Sequence, residues 1–213
     1  MRNLIFISCF ALFSCTSITT RIKKPEKEII GLQPIGEFDQ DILEEVRDSL
    51  VSTYGREFYI LPSIDYPEHA FVNIKFPRYR ADSLIRFLRA TKPDSLSYVI
   101  GMCSKDISTT KYSDWANREI KEPEKRYRDW GIFGLGFSPG PSCVVSSYRL
   151  KKGVSKEQYR ERVRKVTKHE FGHNLGLPHC PNKNCLMTDA VESIKTIDKE
   201  KEGLCAKCWS KIK

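Results

Sequence analysis

Three histidines and one glutamate near the C-terminus have the spacing of a metal centre. His169 and His173 lie four residues apart, so on a helix both imidazoles face the same side and can bind one ion. Glu170 lies beside them as a candidate general base, and His179 follows six residues after His173. Three of the four histidines in the chain fall in this stretch, a clustering that a solvated polar helix does not explain. The pattern predicts a catalytic metal site.

The full string, H-E-x-x-H-x-x-G-x-x-H, also predicts how the chain brings the third histidine to the metal. Gly176 can adopt the left-handed backbone conformation that ends a helix, which turns His179 back toward the first two histidines. Three neutral imidazoles leave one tetrahedral position of a zinc ion open, as a catalytic zinc requires. With zinc as Lewis acid and Glu170 as general acid/base, the expected reaction is hydrolysis of peptide bonds.

Four cysteines next to this string have the spacing of a second metal site. Cys180 and Cys185 form a C-x4-C pair, and Cys205 and Cys208 form a C-x2-C pair. This spacing is typical of a closed structural zinc site with four thiolate ligands. Two disulfides are the alternative in an oxidising compartment. We favour the zinc site and therefore expect Zn²⁺ at two places in the chain, one catalytic and one structural.

The helix that carries the histidines is well defined by its ends. Residues 155–175 are predicted helical, because Ser155 and Gln158 have capping-box spacing and Gly176 with Pro178 provide the stop. Tyr159, Val163 and Val166 recur at helical spacing, and Glu170 and His173 continue the same stripe. We therefore expect this helix to lie across the core and to open into a cleft at its last turns.

The preceding chain alternates between strand and helix patterns and predicts an α/β (α+β) domain with a mixed, partly parallel sheet. Lys111 to Asp129 is polar and is predicted to be a surface insertion. The glycine-rich strand at 131–137 is expected at the sheet edge, either to pair with an extended peptide or as a bulged strand without a ligand. The predicted elements are strands at 29–35, 57–61, 98–103, 131–137 and 143–148, and helices at 39–54 and 79–90. Cys103 and Cys143, in two of these strands, are expected to be buried thiols, with a disulfide between them left open.

Composition limits the classes of protein to which the chain can belong. Its 213 residues suit one domain, and a hydrophobic fraction of 40% with 30% charged residues is ordinary for a globular protein. The net charge of +9 comes from lysines and arginines interleaved with acids, as in Lys199-Glu200-Lys201-Glu202. Such mixed runs are typical of solvated faces. We therefore expect no nucleic-acid partner, and we expect a monomer.

The N-terminus resembles the leader of an exported lipoprotein. Residues 1–14 contain Arg2 followed by an apolar run, which predicts a signal peptide. The ending Leu12-Phe13-Ser14-Cys15 resembles the lipobox of bacterial lipoproteins, which makes Cys15 the expected site of lipidation. Residues 15–28 would form a tether and residues 29–213 the folded domain. We expect a membrane-anchored protein outside the cytoplasm, with a cytoplasmic location as the alternative.

The run from His169 to Cys208 resembles the signature of the archaemetzincins, a branch of the metzincin zinc metallopeptidases. The similarity extends to Pro34-Ile35-Gly36, Phe133-Gly134-Leu135-Gly136 and the segment 144–150, so it covers residues 29–213. It implies a compact metzincin-like domain whose C-terminal subdomain holds a four-cysteine zinc site. The leader departs from the family pattern, since members are mostly intracellular.

The resemblance also implies roles for individual residues. His169, His173 and His179 would bind the catalytic zinc, Glu170 would be the general acid/base, and the four cysteines would hold the second zinc. Met187 would be the methionine of a tight turn beneath the metal. Some metzincins place a tyrosine soon after this methionine, but Thr188 and Asp189 follow here, so no such residue is assigned.

Two other classes of function are compatible with parts of the sequence. A zinc-stabilised binding module on the cell surface would retain the metal without cleaving peptides, with the insertion at 111–129 blocking the site. A basic zinc protein that contacts nucleic acid through its cysteines would have to reside in the cytoplasm. The complete set of three histidines and the glutamate favours the peptidase.

Overall fold

The computed structural model describes residues 28–114, 116–189 and 193–212. The predicted signal peptide, the lipidation site at Cys15 and nearly all of the tether lie outside these residues. Within them, no helix is both long enough and apolar enough to cross a membrane. The strands are β1 Ile29–Ile35, β2 Glu57–Ile60, β3 Phe71–Asn73, β4 Pro77–Arg80, β5 Tyr98–Cys103, β6 Ile107–Thr109, β7 Tyr112–Asp114, β8 Glu119–Ile120, β9 Trp130–Ile132, β10 Gly134–Gly136 and β11 Ser142–Ser146. The helices are α1 Gln40–Tyr54, α2 Ala81–Thr91, α3 Glu124–Tyr127, α4 Lys156–Asn174, α5 Ile194–Lys199 and α6 Ala206–Trp209.

The central layer is a five-stranded sheet in the order β10-β11-β5-β1-β2. All neighbouring strands run parallel except β10, which is antiparallel to β11 and forms one edge of the sheet. Helices α1 and α4 cover one face and α2 covers the other. The predicted α/β class with a mixed, partly parallel sheet is confirmed.

Two predicted boundaries are wrong, and each has a physical reason. The helix predicted from Tyr79 begins at Ala81, because Tyr79 and Arg80 pair as strand β4 with β6. The strand predicted at 131–137 is two strands: β9 joins a separate four-stranded sheet, and β10 joins the central one. Hydrophobic pattern cannot show which sheet a strand joins, since that depends on distant partners.

The insertion predicted at 111–129 has its own structure. Strands β7 and β8 form a hairpin, α3 follows, and Asp129 is buried against Arg78, with its Oδ2 3.1 Å from the guanidinium Nη1. Lys111 and Tyr112 face the cleft described below. The segment is therefore a surface feature at its tip and part of a cleft wall at its base.

Helix α4 matches its prediction and is held firmly in the core. The Ser155 hydroxyl accepts a hydrogen bond from the Gln158 backbone N–H at 3.2 Å, which caps the first turn. Phe171, which is completely buried, makes edge contacts with the rings of Tyr54, Phe58 and Tyr98, with ring centroids 5.0–5.5 Å apart. A helix fixed in this way provides a rigid support for the histidines at its end.

Buried basic side chains of α4 bind the C-terminal segment. Lys168, 1% exposed, donates to the Glu202 backbone carbonyl and to its carboxylate at 2.8 Å each. Lys165 donates to the Ile197 carbonyl at 3.0 Å, and Arg162 makes a two-bond ion pair with Asp198 at 2.6 and 2.7 Å. These contacts hold residues 197–202 against α4, beside the predicted metal centre.

Candidate metal centre and catalytic cleft

The three predicted histidine ligands converge at the C-terminal end of α4. Each of His169, His173 and His179 offers a ring nitrogen, and these nitrogens lie within 4.8 Å of one another. Gly176 has a φ of 84° and reverses the chain, which brings His179 to the two helical histidines as expected. The imidazole centroids are 4.7–5.4 Å apart.

Backbone carbonyls orient the two helical imidazoles. Nδ1 of His169 donates to the Leu186 carbonyl, and Nδ1 of His173 donates to the Leu177 carbonyl, each at 2.8 Å. These bonds select the tautomer whose Nε2 carries a lone pair for a metal ion. Burial lowers the pKa of His169 to about 4 and also lowers the pKa of His173. Both rings are therefore neutral at pH 7, the form that binds a metal.

Glu170 points toward the glycine-rich edge strand. A methyl group at Gly134 would lie 2.6 Å from Cγ and 2.9 Å from Oε1 of Glu170, so a larger residue at this position would displace the carboxyl. Burial raises the pKa of Glu170 to about 8. A carboxyl whose pKa lies close to neutral pH can both accept and donate a proton, as a general acid/base must.

A cleft lies in front of these residues. Its walls are the edge strand β10 on one side, Thr109 to Tyr112 on another, and the loop around Pro178 and His179. Edge strand β10 is hydrogen-bonded to β11 on one side only, which confirms the predicted edge position. An extended peptide could therefore lie beside Glu170, His169 and His173.

Met187 packs against helix α4 at Gly172, which lies between His169 and His173 in the sequence. It is completely buried, and its sulfur would be 2.4 Å from a methyl group placed on Gly172 of helix α4. The Cys180 backbone N–H donates to the Met187 carbonyl at 2.7 Å, and the Leu186 N–H donates to the Gly203 carbonyl at 2.9 Å. This tight loop thus carries both Met187 and the carbonyl that orients His169.

The four predicted cysteine ligands form a second cluster behind this loop. The sulfur atoms of Cys180, Cys185, Cys205 and Cys208 lie within 4.8 Å of one another, and all four thiols are free. A tetrahedral zinc site with bonds of ~2.3 Å separates its sulfurs by ~3.8 Å, and the Cys180 and Cys205 sulfurs are 3.8 Å apart. The Cys208 backbone N–H lowers the pKa of Cys205 to about 7, which favours its thiolate form. The donor set and its spacing fit a structural zinc ion.

Cys103 and Cys143 are buried free thiols, as expected. In the sheet register Cys143 pairs with Ile100 and Cys103 pairs with Ser146. The two cysteines are thus three positions apart along neighbouring parallel strands, ~10 Å in that direction. This separation is too long for a disulfide.

Two contributions to the site were absent from the sequence prediction. The Leu177 and Leu186 carbonyls orient imidazoles, but a backbone carbonyl leaves no mark in the residue types. Asp189 has its Oδ2 3.7 Å from Nδ1 of His179. A carboxylate ten residues after a predicted histidine ligand was a visible signal, since metal-binding imidazoles commonly contact carboxylates through their other nitrogen.

Comparison with known proteins identifies the family. The sequence profile of peptidase family M54 matches residues 60–213. The chain belongs to peptidase family M54. Among curated relatives, the archaemetzincin of Haloarcula marismortui is 30% identical over 191 residues, which cover 86% of this chain and 98% of the relative. The archaemetzincin of Archaeoglobus fulgidus is also 30% identical, over 184 residues, with the same coverage of both chains.

Solved structures agree with this family assignment. The archaemetzincin of Methanopyrus kandleri superposes with a TM-score of 0.71 at 25% identity, covering 90% of this chain and 96% of that structure. The archaemetzincin of Archaeoglobus fulgidus, crystallised with malonate, gives a TM-score of 0.67 at 28% identity, covering 86% and 99%. As a member of family M54, the chain is a zinc metallopeptidase.

Proposed function

We propose that this peptidase cleaves peptide bonds in the cleft at the end of α4, with one zinc ion held by His169, His173 and His179. The observation that carries the proposal is the convergence of three imidazole nitrogens within 4.8 Å, next to the Glu170 carboxyl in the wall of the same cleft. Both metal clusters and the cleft are built from one chain, so the proposed active form is a monomer.

The chain's own residues define the steps of hydrolysis. The backbone of edge strand β10 binds an extended substrate and places its scissile carbonyl beside Glu170. Zinc, when bound, supplies a Lewis acid that polarises this carbonyl and acidifies water. Glu170 accepts a proton from the attacking water and returns it to the leaving amine. The Leu177 and Leu186 carbonyls keep His173 and His169 in the orientation that a metal requires.

The proposal gives the other groups around the site structural roles. Cys180, Cys185, Cys205 and Cys208 hold a second, structural zinc that closes the C-terminal segment onto the site. Met187 forms an apolar floor beneath the histidines and binds no metal. The close fit between Met187 and Gly172 supports this role, because it holds the loop against α4.

Zinc content and peptide cleavage test this function together. Elemental analysis of the purified folded protein is expected to give about two zinc ions per chain, and a peptide-library digest is expected to give defined products. Zinc without cleavage would instead support a catalytically silent binding module. About one zinc per chain, with no free thiols among the last four cysteines, would indicate that these cysteines form two disulfides and hold no structural zinc.

The location of the protein is a separate part of the proposal. We propose that residues 1–14 are removed as a signal peptide, that Cys15 is lipidated, and that residues 15–28 tether the domain 29–213 to a membrane. The support is the leader sequence alone, which lies outside the described residues.

Replacement of Cys15 tests this location. The wild-type protein is expected to incorporate a labelled fatty acid and to sediment with membranes, whereas Cys15→Ser is expected to lose both properties. Cys9→Ser, in the same leader, serves as the matched control and is expected to retain the anchor. If the wild-type protein takes up no labelled fatty acid and stays in the cytoplasmic fraction, the proposed membrane anchor is wrong and the cytoplasmic location replaces it.

A further inference from the structure

A second pocket adjoins the catalytic cleft at Trp130, a residue that lines both. Gly131 and Phe133 also line this pocket, and Phe133 directly precedes edge strand β10, whose Gly134 lines the cleft. The pocket has a volume of about 360 Å³, which lies within the ~300–1,000 Å³ of small-ligand pockets. A peptide that lies along β10 and extends beyond Gly134 would therefore pass close to this pocket.

The pocket is lined by four cationic side chains and one carboxylate. The cations are Lys75, Arg78, Arg126 and Arg149, and the carboxylate is Asp129. The Asp129 side chain is 0% exposed, and its Oδ2 accepts a hydrogen bond from Nη1 of Arg78 at 3.1 Å. Because this carboxylate is enclosed and paired, the pocket presents a positive surface to a ligand.

Asp106 holds two of the arginines side by side. Its Oδ2 accepts hydrogen bonds from Nε of Arg78 at 2.8 Å and from Nη2 of Arg149 at 2.9 Å, and its Oδ1 accepts from Nε of Arg149 at 2.6 Å. The Arg149 guanidinium also packs on the backbone of β9, where a methyl group on Gly131 would overlap it. Both guanidinium groups are thus ordered before a ligand arrives, which lowers the entropy cost of binding.

Each of these arginines keeps one nitrogen without a partner. Nη2 of Arg78 and Nη1 of Arg149 donate to no described residue, although the other two nitrogens of each group are bonded. Neither nitrogen is enclosed by protein, unlike Nε of Arg160, which is buried without a partner. Arg78 as a residue is only 7% exposed. A buried arginine with an open, unbonded donor indicates a ligand that supplies the acceptor.

The other two cations of the pocket have no carboxylate partner among the described residues. The Lys75 ammonium donates to the Arg126 backbone carbonyl at 2.8 Å. The Arg126 guanidinium lies over the rings of Tyr127 and Trp130, with its carbon 5.4 Å from each ring centroid. Four cations against the two aspartates leave an excess of positive charge, which attracts an anion. Guanidinium N–H groups match the geometry of a carboxylate best.

We propose that this pocket binds a carboxylate of the peptide substrate, with Arg78 and Arg149 as the specificity-determining residues. The inference rests on the proposed peptidase function, because the pocket adjoins the cleft in which peptides would be cleaved. The carboxylate accepts N–H groups from both guanidiniums, and its chain packs beside Trp130. Its source is either an acidic side chain near the scissile bond or the C-terminal carboxylate of a short peptide.

Equilibrium binding to the full-length, zinc-loaded Glu170→Gln protein tests the proposal without requiring turnover. The probes are fluorescent peptides without other acidic groups that carry glutamate or glutamine at one position, moved in turn along both sides of the central bond. A further pair has a free or an amidated C-terminus. Glutamate at one position, or the free C-terminus, is expected to bind about tenfold or more tightly than its neutral match, as a charge-assisted hydrogen bond predicts. The pair that shows the preference identifies the source of the carboxylate.

The same measurement on further variants assigns the preference to the pocket. Glu170→Gln combined with Arg149→Gln is expected to bind the charged and neutral probes nearly equally. The control combines Glu170→Gln with Arg128→Gln, which removes a cation outside the pocket whose side chain is 59% exposed and pairs with Glu124; it is expected to keep the preference. Equal binding within every probe pair before any change at Arg149 would overturn the proposal. A preference that Arg149→Gln leaves intact, or that Arg128→Gln lowers equally, would also overturn it.

A second variant keeps the proposal testable if Arg149→Gln does not fold. The exposed side chain of Arg126 contacts only aromatic rings, so Arg126→Gln should fold normally. In the Glu170→Gln background this change is expected to lower the preference about two- to fivefold, the range for an exposed ion pair. A preference that stays the same in this variant would then count against the pocket as the carboxylate site.

Cleavage assays keep the inference distinct from the peptidase proposal. In a library digest by the wild-type enzyme, cleavage without enrichment of acidic residues or of free C-termini near the cut bond would remove the proposed specificity and leave the peptidase. A carboxylate preference in binding with no cleavage of any peptide would remove the peptidase and leave the ligand of the pocket.

Discussion

Replacing Glu170 with glutamine is expected to lower peptide hydrolysis by about 10²–10⁴-fold, the range for loss of a general acid/base. Glutamine has nearly the same shape but cannot accept a proton from water at neutral pH. Residues other than Glu170 hold the imidazoles in place, through the Leu186 and Leu177 carbonyls, so the change should preserve the fold and the histidine cluster. Initial rates on a peptide substrate measure the effect, with zinc content and melting temperature checked in parallel.

A matched change on the same helix serves as the control for Glu170→Gln. Glu157 lies in the first turn of α4, and its side chain is 80% exposed, so Glu157→Gln should retain wild-type rates. Hydrolysis at the wild-type rate in a zinc-replete Glu170→Gln preparation would disprove the role of Glu170. Loss of zinc in that variant would show that the carboxyl contributes to metal binding instead.

The double change Cys205→Ser, Cys208→Ser is expected to weaken zinc binding at the histidine site by about 10–100-fold, although neither cysteine touches a histidine. This is the range for loss of groups that position metal ligands. Cys180 directly follows His179, and Cys185 directly precedes Leu186, whose carbonyl orients His169. Opening the cysteine cluster should therefore loosen two of the three histidines.

Competition with a chelator measures this coupling, read as the free zinc concentration that sustains peptide hydrolysis in each protein. Cys103→Ser removes a buried thiol far from the cluster in sequence, in strand β5, and should leave zinc affinity unchanged. Unaltered affinity at the histidine site of the double variant would show that α4 and Gly176 hold the histidines without help from the cysteine cluster.

Parts of the site were predictable because they depend on short stretches of chain. The i, i+4 geometry of a helix places His169 and His173 on one side, and the left-handed Gly176 brings His179 back within a few residues. The cap of α4 at Ser155 followed from local side-chain chemistry in the same way.

Charged residues of α4 illustrate the limit of such patterns. Lys165 and Lys168 belong to a mixed-charge stretch that is typical of a solvated face, yet they are 3% and 1% exposed. Their burial is compensated by the Ile197 carbonyl and by Glu202, groups that lie more than thirty residues away in sequence. Pairing between distant residues depends on the folded chain and leaves no local periodicity.

The sequence by itself determined the candidate chemistry: three histidines with the spacing of a zinc site and an adjacent glutamate, a four-cysteine cluster, and a mixed sheet behind them. The tertiary structure alone decided how the site is completed. It divides the glycine-rich segment between two sheets and places the Leu186 carbonyl against His169. The physical reason is the separation in sequence between the interacting residues. Helix turns and caps are set by neighbours in the chain, whereas sheet register and burial are set by contacts between distant segments.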